Sequence, residues 1–278
     1  MRKSPLLFSF IPFLMKHPKL FIMALLLGGL SYTYEFFIAR DTMVFQGIPK
    51  ATENSWKTFT RIFRNDAYMV GYSDFRSNPL WVVYKLTPSQ KNAAHLKRPE
   101  SFKSDWRNLG LISTSDYTNS GYDRGHMAPN RAIARLYGKK AQEETFLMTN
   151  ISPQKPSLNQ KLWQELEALE FEEFTQKFKQ VWVYTGPLFH GDTRHLNHSY
   201  WVEIPDAFYK IYVGIREDGT LSTLAFIMPQ NVKANMPLKK FIVNIDTVEK
   251  QSGFDFLHAL DDVLEHKLEE EIVLKDWL

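Results

Sequence analysis

The apolar residues of this chain change rhythm near residue 50. Before it, an uncharged run from Leu20 to Tyr34 centres on Phe21-Ile22-Met23-Ala24-Leu25-Leu26-Leu27. It follows Arg2, Lys3, Lys16 and Lys19, and Phe36, Phe37 and Ile38 prolong it past Glu35. A bilayer core takes about 20 apolar residues to cross, so residues 1–50 are predicted to hold a membrane helix of marginal length. From residue 55 short apolar runs alternate with turn residues, the rhythm of a globular domain. The run Trp81 to Leu86 predicts a strand, and Val181 to Thr185, ended by Gly186-Pro187, predicts another. Residues 208–215 and 221–228 flank Arg216-Glu217-Asp218-Gly219-Thr220 as a hairpin with an Asp-Gly turn would. Leu162, Leu166, Leu169 and Phe174 recur near the helical period and predict a helix from Leu158 to Lys177. Phe256, Leu257, Leu260, Val263, Leu264 and Leu268 predict a second amphipathic helix over Phe254 to Leu268. No repeat or low-complexity linker divides residues 55–278, which read as one α+β domain.

The N-terminal segment reads as an uncleaved signal anchor, because its charged flank is long and no small-x-small cleavage site follows the apolar run. Positive charge ahead of the run would hold that end in the cytoplasm and place the domain outside it, periplasmic or extracellular. Secretion after cleavage, a mitochondrial presequence and a helix buried against the domain are the alternatives. Composition adds little to this. The chain has 34 Lys and Arg against 31 Asp and Glu, so a basic surface, if there is one, must be local. The absence of cysteine excludes disulfides, thiolate zinc sites and thiol nucleophiles, and restricts any metal to oxygen or imidazole ligands.

Candidate chemistry is concentrated in Asp123-Arg124-Gly125-His126-Met127-Ala128-Pro129-Asn130, then Thr149-Asn150-Ile151-Ser152-Pro153-Gln154, then Leu158-Asn159-Gln160 through Glu167. A neutral imidazole at His126 suits removal of a proton from water. Arg124 offers a planar fork for a phosphate oxygen, Gly125 permits close backbone approach, and Asp123 is placed to orient a neighbour. On a helix Asn159, Trp163 and Glu167 share a broad face, drifting about 80° in total, but eight residues rise about 12 Å. Asn159 is therefore expected to be the inner metal ligand, with Glu167 acting through metal-bound water. Magnesium fits so sparse a shell because it keeps several waters; manganese or another divalent cation is the alternative. Asn150 is expected to hydrogen-bond backbone or to hold the loop around the ion. The set suits metal-assisted attack on a phosphodiester. His190, His195 and His198 read as a solvated loop rather than a second metal site, and Lys139-Lys140, Lys233 and Lys239-Lys240 as surface charge unless the fold lines them along a groove.

These motifs resemble the DNA/RNA non-specific endonuclease family. The likeness continues through residues 183–189, 208–210, 227–229 and 238–241, and spans roughly residues 60 to 257. It implies a ββα-metal (His-Me) finger within an α+β fold with a central antiparallel sheet, and often a homodimer. It also implies that His126 is the proton acceptor and Asn159 the magnesium ligand. Arg124, Asn150 and Glu167 support the site, and Arg98, within Lys97 to Asp105, stands nearest the upstream arginine that assists phosphate in relatives. The expected activity is cleavage of DNA and RNA with little sequence or sugar preference, leaving 5′-phosphate ends. A membrane-anchored nucleic-acid-binding or uptake protein without turnover, and a phosphodiesterase for a small or lipid substrate, are the competing readings.

Overall fold

A computed structural model describes residues 16–88 and 96–278. Arg2 and Lys3 of the predicted charged flank lie outside the described residues. The chain divides into two compact units between Thr42 and Met43. The first carries α1 (Pro18–Tyr34), continued by a π-helical turn over Glu35–Ala39. The helical stretch Pro18–Met43 is long and apolar enough to cross a membrane by length and composition. Its side chains are exposed around the whole of α1, Leu25, Leu26, Leu27 and Leu30 among them, so no single face is reserved for packing.

The second unit is built on a seven-stranded antiparallel sheet of β2 (Arg61–Arg64), β3 (Tyr68–Ser73), β4 (Asn78–Leu86), β7 (Gln180–Leu188), β10 (Ala207–Ile215), β11 (Leu221–Pro229) and β12 (Ile242–Val243). The spatial order is β12-β11-β10-β7-β4-β3-β2. The four predicted strands are its centre. Residues 81–86 lie in β4 and 181–187 in β7. The predicted hairpin is β10–β11, in register from Ala207↔Pro229 to Ile215↔Leu221. Its turn needs Gly219, whose φ of 84° is open to glycine at little cost. These strands read as continuous apolar runs because both faces are covered. Val82, Tyr84, Val183, Phe208 and Tyr212 enter one core, while Trp81, Val83, Tyr184, Tyr209 and Ile211 enter the other.

The segment between β4 and β7, neighbours at the middle of the sheet, carries the candidate chemistry. It contains β5 (Asp123–His126), α2 (Asn130–Thr145), β6 (Ile151–Gln154) and the helix α3 (158–177). Because its ends are anchored at the sheet centre, α3 lies across the sheet, with Leu158, Leu162, Trp163, Leu166, Phe171 and Phe174 in the first core. The helix is α-helical in its middle and π-helical over Leu158–Trp163 and Glu170–Phe174. Wide turns of this kind frequently occur at functional sites, and the first contains Asn159.

The opposite face is covered by the C-terminal layer: α4 (Ile245–Ser252), β13 (Phe254–Asp255) and α5 (Asp262–Glu270). Here one expected element is replaced. The predicted helix over Phe254 to Leu268 is instead a short strand, a turn and a helix that starts only at Asp262. Phe254 and Asp255 pair with Ala51 and Lys50 of β1 (Lys50–Ala51). Phe256 and Leu257 are buried in the second core from an irregular segment, with Leu257 at φ 59°. The Asp261 side chain caps Val263 N and fixes the start of α5. The apolar residues counted toward a helical face thus belong to two elements, and Val263 is exposed. Helix α4 is bracketed by Asn244, whose side chain accepts from Thr247 N, and by Gly253 in the left-handed conformation. These are stop signals of ordinary strength that the apolar period alone overlooks.

Candidate active site

Strands β5 and β6 pair antiparallel, Asp123↔Gln154 through His126↔Ile151, and α3 follows after three residues, so the three elements make a ββα finger. Gly125 stands at its crossing. A Cβ there would lie 2.1 Å from Oε1 and 2.6 Å from Cγ of the buried Gln154, so any larger residue would force that side chain to move. At the end of β5 the His126 ring packs against Phe102 and Phe146, with ring centroids 5.3 and 5.0 Å away. Trp163 Nε1 donates to His126 O at 3.3 Å, which ties the strand to α3. His126 Nε2 is buried without a hydrogen-bond partner. Burial, and then the nearby Arg98 guanidinium, push the imidazole pKa down to about 3, so the ring is neutral at physiological pH.

Asn150 lies behind this strand rather than in the cleft. Fully buried, its Oδ1 accepts from Ala128 N at 2.9 Å, and its Nδ2 donates to Ala128 O and Thr145 O at 3.0 and 2.9 Å. Met127 N donates to Asn150 O at 3.0 Å. A single asparagine thus fixes the turn that follows His126, holding backbone as its sequence context suggests. At the start of α3, Asn159 Nδ2 and Gln160 Nε2 both donate to Asp123 Oδ2, at 2.9 and 2.8 Å. With its nitrogen held there, Asn159 keeps Oδ1 as the atom available to a cation. Asp123 orients this residue across the finger.

His126, Asn159, Glu167, Arg98 and Arg124 line one cleft of about 320 Å³, together with Asn130, Arg131, Gln160 and Gln164. Three guanidiniums face one carboxylate, a balance that favours an anionic ligand. Arg124 Nη2 donates to Thr114 O at 2.6 Å, and its guanidinium lies over Phe102 and Tyr117, while its Nε is buried without a partner. Arg98 is exposed over the Phe146 ring at 5.1 Å. Arg131, which follows the motif but was not singled out by it, lines the cleft and pairs with Glu172 at 2.5 Å. Its only sequence signal is a cation placed directly after Pro129-Asn130.

The Glu167 carboxyl is raised to about 7 by burial, against the lowering field of Lys210 and with reinforcement from Glu170. Lys210 and Glu170, both fully buried, form an ion pair at 2.8 Å beneath α3. Tyr84 and Tyr212 hydroxyls each donate to Glu170 at 2.9 Å, and Lys210 Nζ lies 4.9 Å from the Trp163 ring centre. The Lys210 motif gives no sign of this network, because Tyr84 and Glu170 lie 126 and 40 residues before Lys210 and meet it only through the fold.

The donors fit a magnesium-type cation: one amide oxygen at Asn159, one carboxylate at Glu167, and space in the cleft for water. Among the described residues no cluster of three carboxylate or imidazole ligands lies in the cleft, consistent with a sparse shell. His190, His195 and His198 do not converge as ligands either, and they belong to an exposed stretch between β7 and β9 (Ser199–Glu203). Lys139 and Lys140 pair with Glu143 and Asp66; Lys233, Lys239 and Lys240 are exposed, and none of the five lines the cleft.

A ββα finger carrying a partnerless histidine and an oriented asparagine, set over a central antiparallel sheet, is the architecture of a metal-finger nuclease. The chain belongs to the DNA/RNA non-specific endonuclease family, whose sequence profile matches residues 51–263. It is 31% identical over 204 residues to human mitochondrial endonuclease G, covering 69% of this chain and 68% of that protein. It is 36% identical over 221 residues to a nuclease of Syncephalastrum racemosum, covering 72% and 68%. Its fold resembles a solved chain from the EndoG/EndoGI complex with a TM-score of 0.65 and 27% identity, over 78% of this chain and 89% of the other.

Proposed function

We propose that this endonuclease hydrolyses phosphodiester bonds in both DNA and RNA, with His126 as general base and a divalent cation, magnesium first, held at Asn159. The observation that carries the reading is the pairing, in one arginine-lined cleft, of a buried unpartnered His126 Nε2 with an asparagine whose nitrogen is held by Asp123. His126 Nε2 takes the proton of a water as that water attacks phosphorus. Phe102, Phe146 and the Asn150-fixed turn hold the ring so that little reorganisation accompanies the transfer. Anionic phosphate beside the ring raises its low basicity toward the useful range. Arg124, Arg98 and Arg131 bind phosphate oxygens and offset the growing charge. Because these contacts go to the backbone of the substrate, they carry no sequence information and leave base and sugar poorly discriminated. The bound cation would supply polarisation of a phosphate oxygen and charge neutralisation at the departing sugar oxygen. Glu167 supports it through water, and the bond broken is P–O3′, leaving 5′-phosphate and 3′-hydroxyl ends.

Residues 1–50 are proposed as a signal anchor and residues 55–278 as the endonuclease domain, placed outside the cytoplasm. Mitochondrial relatives keep an organellar location in view, and a homodimer is proposed by the same family relationship. Plasmid nicking with and without EDTA tests the chemistry. His126→Ala is expected to lose about 10²- to 10⁴-fold in rate, the usual worth of general-base catalysis. Metal-dependent nicking that survives this substitution would remove His126 from the reaction.

A further inference from the structure

The C-terminal layer, on the sheet face opposite the cleft, gathers five carboxylates. Asp246 and Glu249 lie on α4, Asp255 on β13, and Glu265 and Glu269 on α5. One ligating oxygen each from Asp246, Glu249 and Glu269 lie within 4.8 Å of one another, and so do those of Asp255, Glu265 and Glu269. Proximity of acidic groups alone means little, since exposed ones are common. What sets this group apart is Glu269 at its centre. It is 7% exposed, and its Oε1 is buried with no hydrogen-bond partner. Unpaired buried charge is among the costliest arrangements in a protein interior.

Among the described residues none of the five carboxylates is in an ion pair; His258, whose field reaches Glu265, is hydrogen-bonded to Ile48 O through Nε2. Glu249 Oε1 accepts from Phe256 N at 2.7 Å, which orients the group and leaves its second oxygen for the cluster. Burial and mutual repulsion push Glu249 up to about 7 and Glu269 up to about 9. Without an ion, Glu269 holds a proton at neutral pH and Glu249 is partly protonated, so a bound cation would displace protons from the pair. A divalent ion offsets two charges and satisfies several oxygens together.

We propose that Asp246, Glu249 and Glu269 bind one divalent cation of the calcium class, apart from the catalytic cleft, with Asp255 and Glu265 completing the shell through water. Calcium is favoured over magnesium because it accepts about 6–8 oxygens in irregular geometry and takes carboxylates readily, whereas magnesium holds to its waters. The ion would clamp α4 to α5 across β13 and so secure the layer that covers the second core. Its role is structural, and the nuclease chemistry does not pass through it.

Calorimetric titration of calcium chloride into the full-length Asn159→Ala protein at neutral pH tests this with the cleft ligand removed. One calcium per chain is expected, with the thermal midpoint rising as calcium rises. Adding Glu269→Gln, isosteric and one like charge fewer, is expected to weaken binding by more than about 100-fold, since even outer-shell changes at metal sites cost about 10- to 100-fold. Asp246→Asn provides a second variant with the same expected direction. In the Asn159-intact chain, Glu269→Gln should nick plasmid at the parent rate. Absence of calcium binding to the Asn159→Ala protein, or unchanged binding after both carboxylate substitutions, would overturn the site. Tighter binding of magnesium than of calcium would overturn its assignment to the calcium class.

Discussion

Lys210→Met is the sharpest test of how the sheet supports the cleft. Both members of the Lys210–Glu170 pair are fully buried, so removing the cation leaves a carboxylate with no access to water. Breaking such a pair from one side costs about 3–5 kcal/mol, because the remaining charge keeps its desolvation penalty without its partner. Glu170 would still receive the Tyr84 and Tyr212 hydroxyls at 2.9 Å, which places the expected loss near the lower end, about 3 kcal/mol. For a unit of this size each kcal/mol moves the melting temperature by about 2–4 °C, so a fall of about 6–12 °C is expected. Thermal unfolding of the full chain measures that fall, and urea unfolding followed by tryptophan fluorescence measures the free-energy loss. Lys210→Met/Glu170→Gln should recover much of the loss, since the charge that made the single change costly is gone. A single variant within 1 kcal/mol of the parent, a threshold set by the worth of exposed pairs, or a double variant less stable than the single, would refute the buried-charge argument.

Other outcomes follow from the cleft. Asp123→Ala frees the Asn159 amide to rotate, and apparent magnesium affinity should fall about 10- to 100-fold while saturating magnesium restores much of the rate; a loss that excess magnesium does not repair would show that Asp123 acts otherwise. Because His126 titrates near 3 in the folded chain against about 6.5 unfolded, its contribution to stability is present above about 6.5 and is lost as pH falls through 3. Acid unfolding of His126→Phe should therefore be shallower over that window than the parent's. Glu167 runs the other way: raised to about 7, it contributes stability that is present below about 4.5 and lost as pH rises through 7. Glu167→Gln should flatten stability between those values, as measured by urea midpoints across pH. Gly125→Ala should displace the buried Gln154 side chain and reduce both stability and nicking, and a fully active, equally stable variant would show that Gln154 yields without consequence.

Much of the fold was legible in one dimension. Strands buried on two faces announce themselves as unbroken apolar runs, and the central four strands were located that way, while the long helix showed in its helical period. The C-terminal segment misled because Phe256 and Leu257 supply the right residue types at helical spacing while Asp261 begins the helix only afterwards. Strands β2 and β3 gave no usable warning, since Gly71 and the charged ends of β2 blur their pattern.

The order of residues alone determined the chemical inventory: a histidine beside an arginine, an asparagine at a helix start, no cysteine, and an apolar N-terminal run. These are properties of residue type and near-neighbour spacing, which folding does not alter. Only the tertiary structure decided how the inventory is used. It placed Asn150 behind the His126 strand instead of in the cleft, directed Asp123 to the Asn159 amide, and set Lys210 under Glu167. It also drew five carboxylates from three C-terminal elements to one point. Each of these depends on through-space distance between residues far apart in the chain, and burial sets its electrostatic weight, so neither could be read from spacing.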